Sequence, residues 1–177
     1  MEQEKISDKN LWENFKRGDG DALSSIYDQY VQLLFRYGKK FSRDDELIKD
    51  TIQDLFYYLI RTRKNLGSTD SIKFYLLASF RRRLTVNLKK KSLHADVDIE
   101  NAKDTEIDEE EDISPMEKKV QEGLKTLTAK QREILFYRFS CNLDYEQICE
   151  ITSLKYDSAR KQNFRALQAL RKWLSDP

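Results

Sequence analysis

The sequence predicts an all-α protein of two small helical domains joined by an acidic flexible linker, the second domain carrying a helix-turn-helix. Three observations predict it. Apolar residues recur at helical spacing along most of the chain. Helix breakers are scarce, with 5 Gly and 2 Pro in 177 residues, so long helices are expected between few breaks. Charge falls in blocks. Residues 1–92 carry 19 basic and 13 acidic groups (net +6), residues 93–113 carry 1 and 10 (net −9), and residues 114–177 carry 12 and 8 (net +4). The acidic stretch HADVDIENAKDTEIDEEEDI has few, unpatterned apolar residues and cannot bury enough surface to fold alone. It is expected to act as a linker over 93–113, between domains at 1–92 and 114–177.

The first domain reads as a succession of helices. Leu11 and Phe15 begin one that ends near Gly18. Asp19 or Asp21 caps the next, whose apolar stripe is Ala22, Leu23, Ile26, Tyr27, Tyr30, Val31 and Leu34. Asp44 or Asp45 opens a third, with Leu47, Ile48, Ile52, Leu55, Phe56 and Leu59 toward the core. The same helix has a second face, Asp50, Gln53, Asp54 and Tyr57, at i, i+3, i+4, i+7. An acidic and amide-bearing face in a basic domain is either an ordinary solvated surface or a docking surface for a basic partner. Gly67 breaks the chain, and Ser68, Thr69 or Asp70 is expected to cap a fourth helix running to about Lys91. Ile72, Leu76, Leu77, Leu84 and Leu88 form its buried side. Its other side interleaves aromatics with cations: Phe74, Tyr75, Phe80, Arg81, Arg82, Arg83, Lys89, Lys90 and Lys91, with Asn87 among them. That composition suits a surface where unpaired bases stack on side chains while phosphates meet Lys and Arg. A core role for some of the aromatics is the plainer alternative.

In the second domain, DYEQICEITSLKYDSARKQNFRALQALRKWL (144–174) reads as a helix, a tight break and a longer basic helix. Leu143, Ile148 and Ile151 mark the first part. Ala159, Ala166, Leu167, Leu170 and Leu174 mark the second. Thr152, Ser153 and Lys155 supply turn and capping chemistry around Leu154. This is the pattern of a helix-turn-helix whose second helix, starting near Tyr156, enters the major groove. Lys155, Ser158, Arg160, Lys161 and Arg165 crowd its start and one flank, where donors to base edges and phosphates are needed. An αα-hairpin with a solvated basic face is the alternative.

Other function classes find no support. No run of about twenty apolar residues is present, so no direct membrane insertion is expected. The N-terminus lacks an apolar signal core, which suggests a cytoplasmic protein. One histidine, His94, and two cysteines, Cys141 and Cys149, do not make a metal site, and the cysteines read as small buried hydrophobes. Without a phosphate-cradling Gly loop or a nucleophile–base arrangement, neither an enzyme nor a cofactor or small-molecule substrate is expected.

The order of these parts carries a resemblance. LWENFKRGDGDALSSIYDQYVQLLFRYGKKF resembles the first segment of the promoter-melting domain of the small, two-domain extracytoplasmic-function (ECF) sigma factors. DDELIKDTIQDLFYYLI is similar to their polymerase-docking helix, with Asp50, Gln53, Asp54 and Phe56 on its D-x-x-Q-[DE]-x-F pattern. LTAKQREILFYRF and the 144–174 stretch resemble their promoter reader, including the Y-x-x-A-R-K-x-x-[YF]-R-A-L run. The chain resembles Bacteroidetes-type members akin to the iron-citrate regulators. It departs from the family where Arg82 replaces a frequent Asn, Val86 an Asp or Asn, and Asn163 an apolar residue.

The resemblance implies a sigma region 2-like domain over 1–92 and a region 4-like domain over 114–177. It implies a bacterial RNA polymerase sigma factor that binds core polymerase, recognises two promoter elements and helps open the DNA. Asp50, Gln53, Asp54 and Tyr57 would bind polymerase. Lys64 and Asn65 would rim a pocket for an extruded base. Phe80, Arg81, Arg82, Lys89, Lys90 and Lys91 would hold the melted strand. The partners are then core RNA polymerase and promoter DNA and, by resemblance only, an anti-sigma factor. A stand-alone helix-turn-helix regulator is the rival, but it needs a dimer interface for which the sequence shows no spare apolar face.

Overall fold

The structure is a computed structural model that describes residues 7–92 and 114–175. The expected linker, 93–113, lies outside the described residues. The chain divides into two compact units, Met1–Ala95 and Asp96–Pro177. Among the described residues every regular element is helical, as the sequence predicts.

In the first unit, α1 (Asp8–Arg17) starts on Ser7, whose side chain accepts from the Asn10 amide, and ends on Gly18 at φ 97°. A left-handed stop of this kind favours glycine. Asp19 caps α2 (Gly20–Gly38) through the amides of Asp21 and Ala22. Asp44 caps α3 (Asp45–Thr62) through the Leu47 amide. A short 3₁₀ turn, Arg63–Asn65, follows, then α4 (Ile72–Ser92). The cap of α4 is not one of the three residues expected. Ser71 stands there, its hydroxyl accepting from the Phe74 amide at 3.2 Å, while Thr69 is engaged in a local turn with Ser71.

The core of this unit joins Trp12 and Phe15 of α1, Ile26, Leu34 and Tyr37 of α2, Ile48, Leu55 and Leu59 of α3, and Ile72, Leu76, Leu77, Phe80 and Leu84 of α4. The C-terminal end of α2 meets α3 closely. A Cβ at Gly38 would lie 2.7 Å from Ile48 Cγ2, so a side chain there would force the helices apart.

In the second unit, α5 (Pro115–Lys125), α6 (Ala129–Leu135) and α7 (Tyr145–Thr152) each begin with a capping box, Ser114–Glu117, Thr128–Gln131 and Asp144–Gln147. Such reciprocal bonds satisfy two orphan donors at each start. The helix α6 runs on into a π turn, Phe136–Ser140, that closes with a Cys141 amide to Phe136 carbonyl bond. The last helix, α8 (Tyr156–Ser175), packs on α5, α6 and α7. Leu127, Leu135 and Ala166 form its core contact, with Leu124 and Leu170 against them. Cys141 is buried and Cys149 half-buried, both free. The expectation of two buried cysteines therefore holds for Cys141 and only in part for Cys149, whose thiol pKa is raised by burial and the nearby Glu146 charge.

Candidate nucleic-acid and polymerase interfaces

The outer face of α3 presents Asp50, Gln53, Asp54 and Tyr57 together, all exposed, with Tyr57 at 60%. The helix opposes this face to Ile48, Ile52, Leu55 and Leu59, so the periodicity read in the sequence is the one the fold uses. Beside it lies a groove of about 740 Å³ between α2 and α3, lined by Tyr27, Val31, Phe35, Ile52, Gln53, Phe56, Tyr57 and Ile60. This groove is absent from the sequence reading. Tyr27 and Val31 were expected in one broad core stripe of α2. The structure instead leaves Tyr27 exposed and stacks it edge-on to Phe56, centroids 4.9 Å apart. The missed signal is that Tyr27, Val31 and Phe35 form their own i, i+4, i+8 row, offset from Ile26, Tyr30 and Leu34.

The structure sorts the side chains of α4 into three rows. Phe80 leaves the surface expected for it: it is 0% exposed and packs against Tyr37, centroids 6.0 Å apart. It sits four residues from both Leu76 and Leu84, on the core row, so it belongs to packing rather than to strand contact. A second row faces α3. Arg83 lies 4.3 Å over the Tyr58 ring, the Asn87 amide donates to Thr51 Oγ1 at 3.0 Å, and Lys91 pairs with Asp44. That pairing holds the Asp44 carboxyl below its ordinary pKa. The third row, Arg82, Val86, Lys89 and Lys90, is exposed at i, i+4, i+7, i+8. Arg81 is half-buried beside it. Of the cations expected to hold DNA, Arg82, Lys89 and Lys90 thus share one open face, and Lys91 is engaged on another. Tyr75 is half-buried against Trp12, and burial raises its pKa. Lys64 and Asn65 are exposed on the 3₁₀ turn, with the segment Leu66–Ser71 following.

In the second unit the turn between α7 and α8 forms as expected. Ser153 takes the left-handed conformation at φ 59°, and Thr152 Oγ1 donates to the Ile148 carbonyl at 2.6 Å. Lys155, Ser158, Arg160, Lys161 and Arg165 are all exposed at the start and along α8. Arg160 reaches over Tyr156, 6.0 Å from its centroid, and Tyr156 meets Tyr145 edge-on at 5.6 Å. Asn163 is buried at 7% exposure, and its Nδ2 donates to the Tyr145 hydroxyl at 2.9 Å. The amide therefore finds the partner that a core-facing Asn requires, although its Oδ1 has none. Leu167, expected in the core stripe, is exposed. With Phe164, 61% exposed, it borders a groove of about 410 Å³ along Arg160, Lys161 and Arg165. Phe164 was not among the expected contacts, which were limited to cationic and hydroxyl side chains.

Residues 117–170, which span most of α5 to α8, match the family model for sigma-70, region 4. The matched residues include both helices of the helix-turn-helix, α7 and α8. The fold of the whole chain is similar to that of CnrH, solved in complex with the cytosolic domain of CnrY. The TM-score is 0.64 at 13% identity, over 96% of this chain and 99% of that one. It is also similar to the sigma factor RpoE, solved in complex with the anti-sigma factor NepR from Bartonella quintana. There the TM-score is 0.64 at 17% identity, over 87% and 98% of the two chains. No curated protein matches the chain. Among the described residues no helix is long and apolar enough to cross a membrane, and no acidic, Cys or His cluster could hold a metal ion.

Proposed function

We propose that the chain is an ECF-class RNA polymerase sigma factor that binds core polymerase, recognises two promoter elements and helps open the duplex. The observation that carries the reading is the sigma-70 region 4 match falling on the helices that display Arg160, Lys161 and Arg165. The helical first unit supports it, with an acidic-amide face on α3 and a basic row on α4. The protein works by binding, in the cytoplasm, with no catalytic group of its own. The resemblance of its motifs to Bacteroidetes-type members akin to the iron-citrate regulators supports a place near that group. An anti-sigma factor is a further partner, suggested by the complex in which the similar RpoE was solved.

In this reading Asp50, Gln53, Asp54 and Tyr57 dock on polymerase, with the groove beside them. Arg82, Lys89 and Lys90 track the backbone of melted DNA. Lys64 and Asn65 capture an extruded base, and the start of α8 reads the upstream element. The residues 1–92, 93–113 and 114–177 act as melting domain, linker and reader. Pull-down with core polymerase tests the assignment. The chain is expected to be retained. Asp50→Lys or Asp54→Lys is expected to weaken retention by several kcal/mol, since a charge reversal in a complementary interface costs about that much. Gln53→Ala acts in the same direction. Wild-type retention of all three variants, folded by circular dichroism, refutes the docking face. No retention of the wild-type chain refutes the function.

A further inference from the structure

The segment Leu66–Ser71 is tied down from outside. The Trp12 indole N–H donates to the Gly67 carbonyl at 2.8 Å, and the Ile72 amide, the first of α4, donates to Asp8 Oδ2 at 2.9 Å. Both anchors stand on α1, one helical turn apart, and reach 55 and 64 residues along the chain. Trp12 is fully buried, wedged between Phe15 and Tyr75 with centroids 5.3 and 4.9 Å away. The Asp8 carboxylate is held in turn by the buried Tyr30 hydroxyl, whose pKa is raised by burial, then by the Asp8 charge and the bond between them. The far end of α1 abuts the 3₁₀ turn: a Cβ on Gly18 would stand 3.5 Å from Arg63 Nε. One short helix therefore touches the 3₁₀ turn, the segment after it and the first residue of α4.

We propose that Asp8 and Trp12 are positioning residues for base capture, with α1 holding Lys64–Ser71 in one pre-formed shape. The inference rests on the reading of Lys64 and Asn65 as the rim that takes the extruded base. A segment lacking helical bonds of its own would otherwise lose backbone freedom on binding the base, and that loss would subtract from recognition. Anchoring both ends removes it beforehand. The exposed side chains of Lys64, Asn65, Ser68 and Asp70 then face the strand from a fixed backbone.

The test uses full-length protein on core polymerase and promoters selected from a randomised library. Each base of the melted element is varied in turn, and open complexes are read by permanganate. Trp12→Phe keeps a ring between Phe15 and Tyr75 but removes the N–H donor; Gly67 is exposed, so its carbonyl turns to water. Trp12→Phe and Asp8→Ala are expected to flatten base preference at the captured position about five- to tenfold, the worth of one hydrogen bond. They should leave polymerase affinity within about twofold. Asp8→Asn keeps an acceptor for the Ile72 amide and should retain the wild-type preference. Amide exchange at 66–72 should rise in Trp12→Phe beyond the general rise that the smaller buried ring causes through the unit. An equal loss on all four bases means that the anchors serve only stability and overturns the proposal. Asn65→Ala separates the two ideas. Flattening in Asn65→Ala with wild-type preference in Trp12→Phe and Asp8→Ala refutes the positioning role alone. No change in Asn65→Ala refutes the base-capture reading and the inference with it.

Discussion

Replacing Asn163 by Leu should make the second unit more stable. The two side chains branch alike at Cγ, so Leu can enter the space with little movement. Three contributions set the magnitude. The bond from Nδ2 to Tyr145 is lost, costing about 0.5–1.5 kcal/mol, but the Tyr145 hydroxyl is only half-buried and can turn to water. The buried Oδ1 without a partner disappears, which returns about 1–3 kcal/mol. Leu also favours the helix by a few tenths of a kcal/mol over Asn. The net is a gain of about 1–2 kcal/mol, or roughly 4–8 °C in Tm per kcal/mol for a unit of this size. Calorimetry of the full chain reads it as an upward shift of the transition assigned to the second unit. Asn163→Ala should move it downward, since a cavity replaces the amide. A lower transition in Asn163→Leu would show that Leu cannot be packed there or that the bond to Tyr145 outweighs the orphaned oxygen, and would refute the ledger.

Arg160→Ala should relax base preference at one or two positions of the upstream element by about 1–3 kcal/mol, as loss of a guanine-gripping fork requires. Arg165→Ala should weaken binding on all sequences alike and flatten its salt dependence. Promoter selection from a randomised upstream element distinguishes the two, and an unaltered consensus in Arg160→Ala would move it to a phosphate contact. Phe80→Ala should cost about 3–5 kcal/mol of stability, read by denaturant unfolding, because it empties a buried site; a drop in DNA affinity with unaltered stability would contradict its place in the core. Raising pH should destabilise the first unit through Tyr30. Burial pushes its pKa up to about 12 from the ordinary 10.0, so its contribution is full below about 10 and lost as pH rises toward 12. Tyr30→Phe should remove that part of the alkaline loss in melting curves taken from pH 9 to 12, and an unchanged slope would exclude Tyr30 as its source.

Much of this molecule was readable from local pattern. Gly18 as a stop, the narrowing of the caps to Asp19 or Asp21 and to Asp44 or Asp45, Tyr156 as the start of the last helix and the solvent face of α3 all depend on residues within a turn or two of one another. Periodicity and capping act over that range, and sequence reports them directly. The same holds for Ser158, Arg160, Lys161 and Arg165, which an amphipathic α8 turns away from Ala159 and Ala166, while Lys155 is exposed just before the helix. What the chain order does not state is which of two apolar faces a second helix will cover. Tyr27, Val31 and Phe35 became a groove rather than core because α3 packs on the neighbouring row. Phe80 became core because Tyr37 meets it there, and Arg83, Asn87 and Lys91 left the basic face of α4 because Tyr58, Thr51 and Asp44 stand opposite. The ties from Asp8 to Ile72 and from Trp12 to Gly67 join residues 64 and 55 positions apart. Such contacts follow from the close packing of four helices, which selects partners by shape and by the need to bond every buried polar group, and only the tertiary structure decides them.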